Sequence, residues 1–218
     1  PQKSQALNVD SICRVIDDLT RRCIKPVFTS TEFVFDGRKG NYVETDAAEP
    51  ILLYGHQKLE VERFLQSAGM ESTILRLAKV FGTELGDGTL FTNWLDSLKP
   101  DELLRCATDQ AFSPVYVGDV VAAIIAAVER NIDGLYHLSG NFRFTRMELL
   151  TMFVGALGQH HGDLNVTIEP CSIHDFSLAE RRPEDVSMVA DKLIDATDVK
   201  ISNLNELCAR IAKASAIN

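Results

Sequence analysis

The sequence lacks several features that would place it in a specialised class of proteins. Its 218 residues include no apolar run near the roughly 20 needed to cross a bilayer, and residues 1–5 have none of the parts of a signal peptide. The five cysteines are scattered and never spaced as C-x-x-C, which argues against a disulfide framework and against a zinc site. We therefore expect a cytoplasmic chain with reduced thiols, no membrane partner and no bound metal.

Positive charge is also scarce. Lysine and arginine total 22 against 31 aspartates and glutamates, giving a net charge of -9, and the basic residues form no run. A nucleic-acid partner needs a basic surface that neutralises phosphates, so none is expected.

The chain does contain alternating helical and strand patterns, which favour an α/β fold with a parallel sheet covered by helices. Helices are predicted over residues 7–19, 50–67, 90–98, 120–128, 145–157 and 204–212, and strands over 26–30, 71–77, 103–107, 134–140 and 166–168. We expect Pro50 in the first turn of its helix, Thr145 as an N-cap and Asp119 as a cap. Residues 120–128 are wholly apolar, which predicts a buried helix.

One pair of residues has a spacing that is typical of a catalytic site. Tyr54 and Lys58 are four residues apart on a predicted helix, so they share one face and act on the same small volume. A tyrosine exchanges a proton near neutral pH only if a nearby cation favours its anion, and an ammonium has that effect. The spacing alone is weak evidence, because many helices contain it by chance. The spacing becomes stronger evidence in its context, because a strand just upstream ends at the hydroxyls of Ser30 and Thr31.

With this context the sequence resembles the extended short-chain dehydrogenases, and within them the dTDP-4-dehydrorhamnose reductases. The matching motifs are S-T-E-F-V-F-D-G at 30–37, E-T-D at 44–46, proline at 50 and Y-G-H-Q-K at 54–58. Further matches are I-L-R at 74–76, V-F-G at 80–82, D-Q at 109–110, S-P at 113–114, G-L-Y-H-L at 134–138 and R-P-E-D-V-S-M at 182–188. The resemblance covers nearly the whole chain and implies a Rossmann-type doubly wound parallel sheet with a smaller mixed α/β substrate-binding region.

The resemblance implies roles for individual residues. Tyr54 would give a proton to a ketone oxygen, and Lys58 would bind the nicotinamide ribose and lower the pKa of Tyr54. Thr31 would hydrogen-bond the reacting oxygen, with Ser30 as the fallback, because neighbouring strand residues point to opposite faces. Tyr54, Lys58 and Leu77 would contact the cofactor, which is NADPH or NADH.

Three residues are implied in substrate binding. Asn8 matches the family's helix asparagine beside the catalytic cluster, and Phe33 stands where the family has a tyrosine. Arg182 would bind the diphosphate of a nucleotide-sugar through paired hydrogen bonds, with its neighbour Arg181 as the alternative.

The sequence departs from the family pattern near the substrate. Glu32 replaces an aspartate, and the residues after the strand arginine are Leu77-Ala78-Lys79, where the rhamnose enzymes often carry an aromatic residue. A stacking platform for the sugar is therefore expected to be missing, and a different nucleotide-sugar is left open.

The sequence also departs from the pattern at the cofactor. None of its glycines form a G-x-x-G-x-x-G or G-x-G-x-x-G loop, which would bring backbone amides to the pyrophosphate. We expect the sheet to lack its first strands, with on the order of 90 residues, three βαβ units, preceding Pro1. Residues 1–140 are expected to form the remaining dinucleotide-binding domain and residues 141–218 mainly the substrate-binding region, with segments interleaved.

The predicted function is NAD(P)H-dependent reduction of the 4-keto group of a nucleotide-linked deoxysugar. Two alternatives stay open. One is a nucleotide-sugar epimerase or dehydratase, which uses the same tyrosine and lysine. The other is a non-catalytic regulatory subunit similar to the methionine adenosyltransferase beta subunit. A homodimer is also left open.

Overall fold

The computed structural model describes residues 2–69, 71–98, 103–162 and 164–215. The α-helices of these residues are α1 (Gln2–Gln5), α2 (Ser11–Arg21), α3 (Leu53–Ser67), α4 (Leu90–Ser97), α5 (Val117–Glu129), α6 (Arg146–His161), α7 (Asp191–Thr197) and α8 (Leu204–Ala214). A π-helical turn, Ala6–Asp10, joins α1 to α2, and 3₁₀ turns cover Glu32–Val34 and Ile173–Asp175.

The strands are β1 (Val27–Thr31), β2 (Thr73–Leu77), β3 (Val80–Phe81), β4 (Leu103–Ala107), β5 (Ala111–Phe112), β6 (Val115–Tyr116), β7 (Gly134–Leu138), β8 (Phe144–Thr145) and β9 (Thr167–Cys171). In the described part of the chain, no helix has both the length and the apolar character needed to cross a membrane.

The central sheet is parallel, in the order β1-β2-β7. Its register places Thr31 beside Leu77 and Leu77 beside Leu138, so the three strands end level with one another. Helices cover both faces, which confirms the predicted α/β class. Ligands of open parallel sheets bind beyond the carboxyl ends of the strands, and here that edge begins at Thr31 and Leu77.

The sheet has an apolar layer on each face, as the alternation of side chains along a strand requires. On one face, Ile74 of β2 packs against Val61 and Leu65 of α3. On the other face, the next residue along β2, Leu75, belongs to a cluster with Val120 of α5 and Leu193 of α7.

A buried ion pair joins α3 to the sheet. The Arg76 guanidinium on β2 donates three hydrogen bonds to the Glu62 carboxylate on α3, the shortest of them 2.7 Å long. Both side chains are almost completely buried, so each charge depends on the other for its solvation. The ion pair therefore fixes the position of α3 relative to β2.

Beside the sheet, a further cluster of buried residues forms around α4, α6 and α8. Its aromatic rings are in direct contact, with Phe91 4.9 Å from Phe81 and 5.3 Å from Phe153 between ring centroids. The short β4-β9 pair brings residues 103–107 beside residues 167–171. Segments from the middle and the end of the chain are therefore interleaved here, and the division at residue 140 stays a prediction.

The start of α3 differs from the sequence prediction. The helix begins at Leu53, with Leu52 as its N-cap, so Pro50 lies before the helix and not in its first turn. Leu52 is extended, with φ -107° and ψ 143°, and Cβ of Pro50 lies close to Gly55 in the first turn of the helix. The predicted N-cap at Thr145 is confirmed, since its hydroxyl accepts from the Glu148 N–H.

The prediction for residues 120–128 was wrong in part. A helix forms, but Val121, Ile125 and Val128 are half or more exposed, because an α-helix lying on a sheet turns only one face towards it. Asp119 is not the cap. It lies in the first turn of α5, and its carboxylate instead accepts hydrogen bonds from the backbone and hydroxyl of Ser202.

Candidate active site

The site begins where β1 ends. Thr31 is buried at the last position of the strand, and its hydroxyl oxygen accepts the Phe33 backbone N–H at 3.3 Å, which caps the 3₁₀ turn Glu32–Val34. A hydroxyl that accepts a hydrogen bond keeps its own proton free for donation. Thr31 therefore has an O–H donor available at the edge of the sheet.

Ser30 lies one residue earlier and points to the opposite face of the strand. It pairs in register with Arg76, inside the sheet, and its hydroxyl is buried. Between the two hydroxyls offered by the sequence, Thr31 is the one at the strand end.

A glycine lets α3 approach this strand end. A methyl group at Gly55 would overlap the Phe33 carbonyl oxygen and would lie 2.8 Å from the carbonyl carbon and 2.9 Å from Cβ of Pro50. Only a residue without Cβ fits such a close approach. The contact fixes the first turn of α3, which carries Tyr54, directly above the turn that follows Thr31.

The predicted tyrosine and lysine do share one face of α3. The Lys58 ammonium lies 5.8 Å from the centre of the Tyr54 ring and 4.7 Å from that of Phe28, and it donates a 2.8 Å hydrogen bond to the Thr29 carbonyl. Tyr54 is 42% exposed, so its ring faces the open edge of the site. Thr29 thus ties Lys58 to the same strand that presents Thr31.

The electrostatics of the pair differ from the expectation. Burial raises the pKa of Tyr54 above its ordinary value, whereas the resemblance implied that Lys58 would lower it. Burial lowers the pKa of Lys58, and the nearby Glu62 carboxylate acts in the opposite direction. The reason is geometric: the ammonium is directed at the Thr29 carbonyl and does not bond to the phenol. In this arrangement the phenol keeps its proton, as a proton donor must.

Asn8 contacts α3. It sits in the π-helical turn, and its amide donates to the Gln57 side chain at 2.8 Å, while Ser4 donates to the same oxygen at 2.9 Å. Gln57 is buried next to Lys58 in sequence. Asn8 therefore supports the helix that carries Lys58, and its role in substrate binding stays a prediction.

A cleft of about 440 Å³ opens beside the strand end. Phe33 and Arg182, both expected at the substrate, line it together, although about 150 residues separate them in the chain. Three arginines of the cleft lie over aromatic rings: Arg182 over Phe33 at 5.6 Å, Arg146 over Trp94 at 5.4 Å and Arg105 over Phe176 at 5.4 Å. The walls thus offer flat apolar surfaces combined with positive charge.

Glu32 forms part of the floor of this cleft. Its carboxyl group is almost fully buried and accepts the Lys79 backbone N–H at 3.0 Å. Burial raises the pKa of Glu32 to about 8, although the Lys79 charge and hydrogen bond act in the opposite direction. The group is therefore mostly protonated at neutral pH.

A segment near the end of the chain closes one side of the site. Glu180 accepts the backbone N–H of Leu53, at the start of α3, at 3.1 Å. Pro183 packs against Gly37, whose carbonyl accepts the Asp185 N–H at 2.9 Å. These contacts hold Arg182 beside Phe33.

The residues at the strand ends fit part of a nicotinamide cofactor. An ammonium has three donors, and Thr29 takes one from Lys58, which leaves two for the hydroxyls of a ribose. Leu77, beside Thr31 in the sheet, offers an apolar edge for a ring. The pyrophosphate has no glycine-rich loop to bind among these 218 residues.

Sequence reasoning missed several cleft residues: Trp94, Arg105, Arg146 and Phe176. No local motif identifies them, because they come from α4, β4, α6 and a loop after β9. The lone tryptophan and the position of Arg146 directly after the Thr145 cap were the only available signals.

Comparison with known proteins agrees with this arrangement. A family model described as the RmlD substrate binding domain matches residues 1–216. A dTDP-4-dehydrorhamnose reductase of Aggregatibacter actinomycetemcomitans is 28% identical over 206 residues, covering 91% of this chain and 69% of the relative. Methionine adenosyltransferase 2 subunit beta of Xenopus laevis is 30% identical, over 66% of this chain and 46% of that protein.

The fold also matches a solved structure. The dTDP-4-dehydrorhamnose reductase of Bacillus anthracis, determined in complex with NADP, superposes with a TM-score of 0.81 at 22% identity. The match covers 98% of this chain and 75% of that one. The chain therefore has the Rossmann-type α/β architecture that its sequence predicts.

Proposed function

The chain belongs to the RmlD substrate binding domain family, and from that premise we propose that it serves the NAD(P)H-dependent reduction of a 4-keto group on a nucleotide-linked sugar. The observation that carries the proposal is that the Lys58 ammonium lies 5.8 Å from the centre of the Tyr54 ring and bonds to Thr29, in the strand that ends at Thr31, beside a cleft lined by Arg182. One relative is named dTDP-4-dehydrorhamnose reductase, and that name describes the reduction of a nucleotide-linked dehydro-sugar.

Substrate binding follows from the walls of the cleft. Guanidinium groups bind phosphate oxygens through paired hydrogen bonds, and Arg182 and Arg146 place two of them in the cleft. The rings of Phe33 and Trp94 beneath them give flat surfaces for the sugar and the base. The diphosphate then spans the arginines, and the sugar lies towards Thr31.

The reduction needs one hydride and one proton. A nicotinamide cofactor, NADPH or NADH, would supply the hydride when bound beside Lys58 and Leu77. Thr31 donates a hydrogen bond to the ketone oxygen, and Tyr54 gives that oxygen its proton as the carbon becomes an alcohol. Lys58, held by the Thr29 carbonyl, binds the ribose with its two remaining donors.

Catalysis is favoured over a purely regulatory role. A regulatory subunit has no physical need for a hydroxyl, a phenol and an ammonium that converge on one strand end. The epimerase or dehydratase alternative uses the same groups, but no feature of this cleft favours it over the reductase.

The five cysteines are all unpaired, as in a chain that works in the reducing cytoplasm.

The test replaces the proton donor in the whole gene product. Tyr54→Phe should lower the rate of NADPH oxidation with a nucleotide 4-keto sugar by about 10²- to 10⁴-fold, the usual contribution of a positioned acid. The matched control is Tyr136→Phe, which removes a hydroxyl bonded to the Asp133 carbonyl, away from the cleft. Full activity in Tyr54→Phe would refute the proposal.

A further inference from the structure

The cleft holds more positive charge than a diphosphate requires. Among the described residues, no carboxylate oxygen lies within 4.0 Å of the charged nitrogens of Lys79, Arg146 or Arg182, although all three line the same cleft. Arg105, by contrast, is paired with Glu169 at 3.9 Å. Three cations are thus left without an ion-pair partner.

Glu32 does not balance this charge. It is the carboxyl group closest to Lys79 in the cleft, but it is buried and mostly protonated at neutral pH. Partial burial lowers the pKa of Lys79, and repulsion from Arg146 and Arg182 lowers it further. The Glu32 carboxyl group acts in the opposite direction and raises the pKa of Lys79. Three mutually repelling cations are costly in the free protein, and an anionic ligand offsets that cost.

The cations occupy different parts of the cleft. Arg146 lies over Trp94, and Arg182 lies over Phe33, where both suit the two negative charges of a nucleoside diphosphate. Lys79 follows Leu77 by two residues, and its backbone N–H bonds to Glu32, the neighbour of Thr31. The backbone of Lys79 therefore lies beside the strand end that carries Thr31, where the proposed function places the sugar.

We propose that Lys79 is a specificity-determining residue that binds a carboxylate on the sugar, so that the preferred substrate is a nucleoside-diphosphate hexuronate with a keto group. This inference rests on the proposed function and adds the charge of the sugar to it. The third anionic group completes the charge balance: two phosphates for the two arginines and one carboxylate for the lysine.

The experiment compares two ligands that differ only at C6 of the sugar. Binding of dTDP-glucuronate and dTDP-glucose to the whole gene product is measured by titration calorimetry with NADPH present, and neither ligand has a ketone to be reduced. The unmodified protein should bind the uronate at least about 10-fold more tightly, equivalent to about 1.4 kcal/mol. Lys79→Met should abolish this preference by weakening uronate binding while leaving the glucose ligand nearly unchanged.

Two further variants make the result specific. Lys79→Arg keeps the charge and should keep most of the preference. Lys200→Met makes the same change at an exposed lysine outside the cleft and should behave like the unmodified protein. These controls separate a local contact from a general effect of net charge.

Each outcome decides the question. Equal binding of the two ligands, together with turnover of a neutral 4-keto sugar, would overturn the role of Lys79 and leave the proposed function standing. A preference for the uronate that survives in Lys79→Met would also overturn it. Failure of both ligands to bind would remove the inference and the nucleotide-sugar assignment together.

Discussion

Replacing Gly55 with alanine tests how closely α3 must approach β1 for Tyr54 and Lys58 to act. The added methyl group would overlap the Phe33 carbonyl oxygen and lie 2.8 Å from its carbon. Normal contacts between carbon atoms are about 3.5–4.0 Å. The first turn of α3 must therefore move by about 1 Å, and Tyr54 moves with it.

Two opposing effects set the change in stability. Alanine favours the helix by about 1 kcal/mol relative to glycine. Forcing an extra carbon into a filled space costs about 1–3 kcal/mol through backbone shifts. The net change in the free energy of unfolding is a loss of about 0–2 kcal/mol. The effect on turnover is larger, because a displacement of about 1 Å costs on the order of 100-fold in rate.

Gly155 supplies the matched control. It lies inside α6, exposed, with no atom within 4 Å of an added Cβ, so Gly155→Ala should gain about 1 kcal/mol and keep full activity. Urea denaturation measures the stability of both variants, and NADPH oxidation measures turnover. If Gly55→Ala were as stable as Gly155→Ala and equally active, the close approach of α3 to Phe33 would not constrain the site.

The buried ion pair and the buried acid give two further predictions. Glu62→Gln leaves the Arg76 guanidinium buried without its carboxylate, so the free energy of unfolding measured in urea should fall by about 3–5 kcal/mol. A Glu62→Leu, Arg76→Met double variant should recover most of that loss. Unchanged stability in Glu62→Gln would contradict this prediction. Glu32 has a folded-state pKa of about 8, above its ordinary 4.5, so its stabilising contribution is complete below pH 4.5 and is lost as pH rises towards 8. Glu32→Gln should remove this decline in thermal unfolding scans across that range, whereas Glu84→Gln, at an exposed position, should leave the pH dependence as it was.

Local patterns in the sequence were enough to predict much of the fold. The helical and strand periods located the central parallel strands, because burying one face of an element leaves a periodic trace in its residues. They did not locate the start of α3 at Leu53, since a proline is allowed in the first turn of a helix as well as before it, and the extended N-cap, Leu52, carries no capping side chain. Nor did they show which side of α5 is exposed, because nine apolar residues in a row carry no periodicity.

The proposed catalytic residues were also within reach of the sequence. Tyr54 and Lys58 share a helix, so the helical period alone brings them together. The role of Thr31 came from the resemblance to the reductase family, with Ser30 as the fallback. The raised pKa of Tyr54 was not predictable in the same way, because it comes from the burial of the phenol, which depends on tertiary packing.

By itself, the sequence determined the parallel α/β architecture and the face that carries the tyrosine and lysine, because both follow from spacing within single elements. Only the tertiary structure decided the character of the cleft. Lys79, Arg146 and Arg182 come from segments far apart in the chain, and no pattern along it records their proximity. Their shared charge exists only after packing, since Coulomb interactions depend on distance in space.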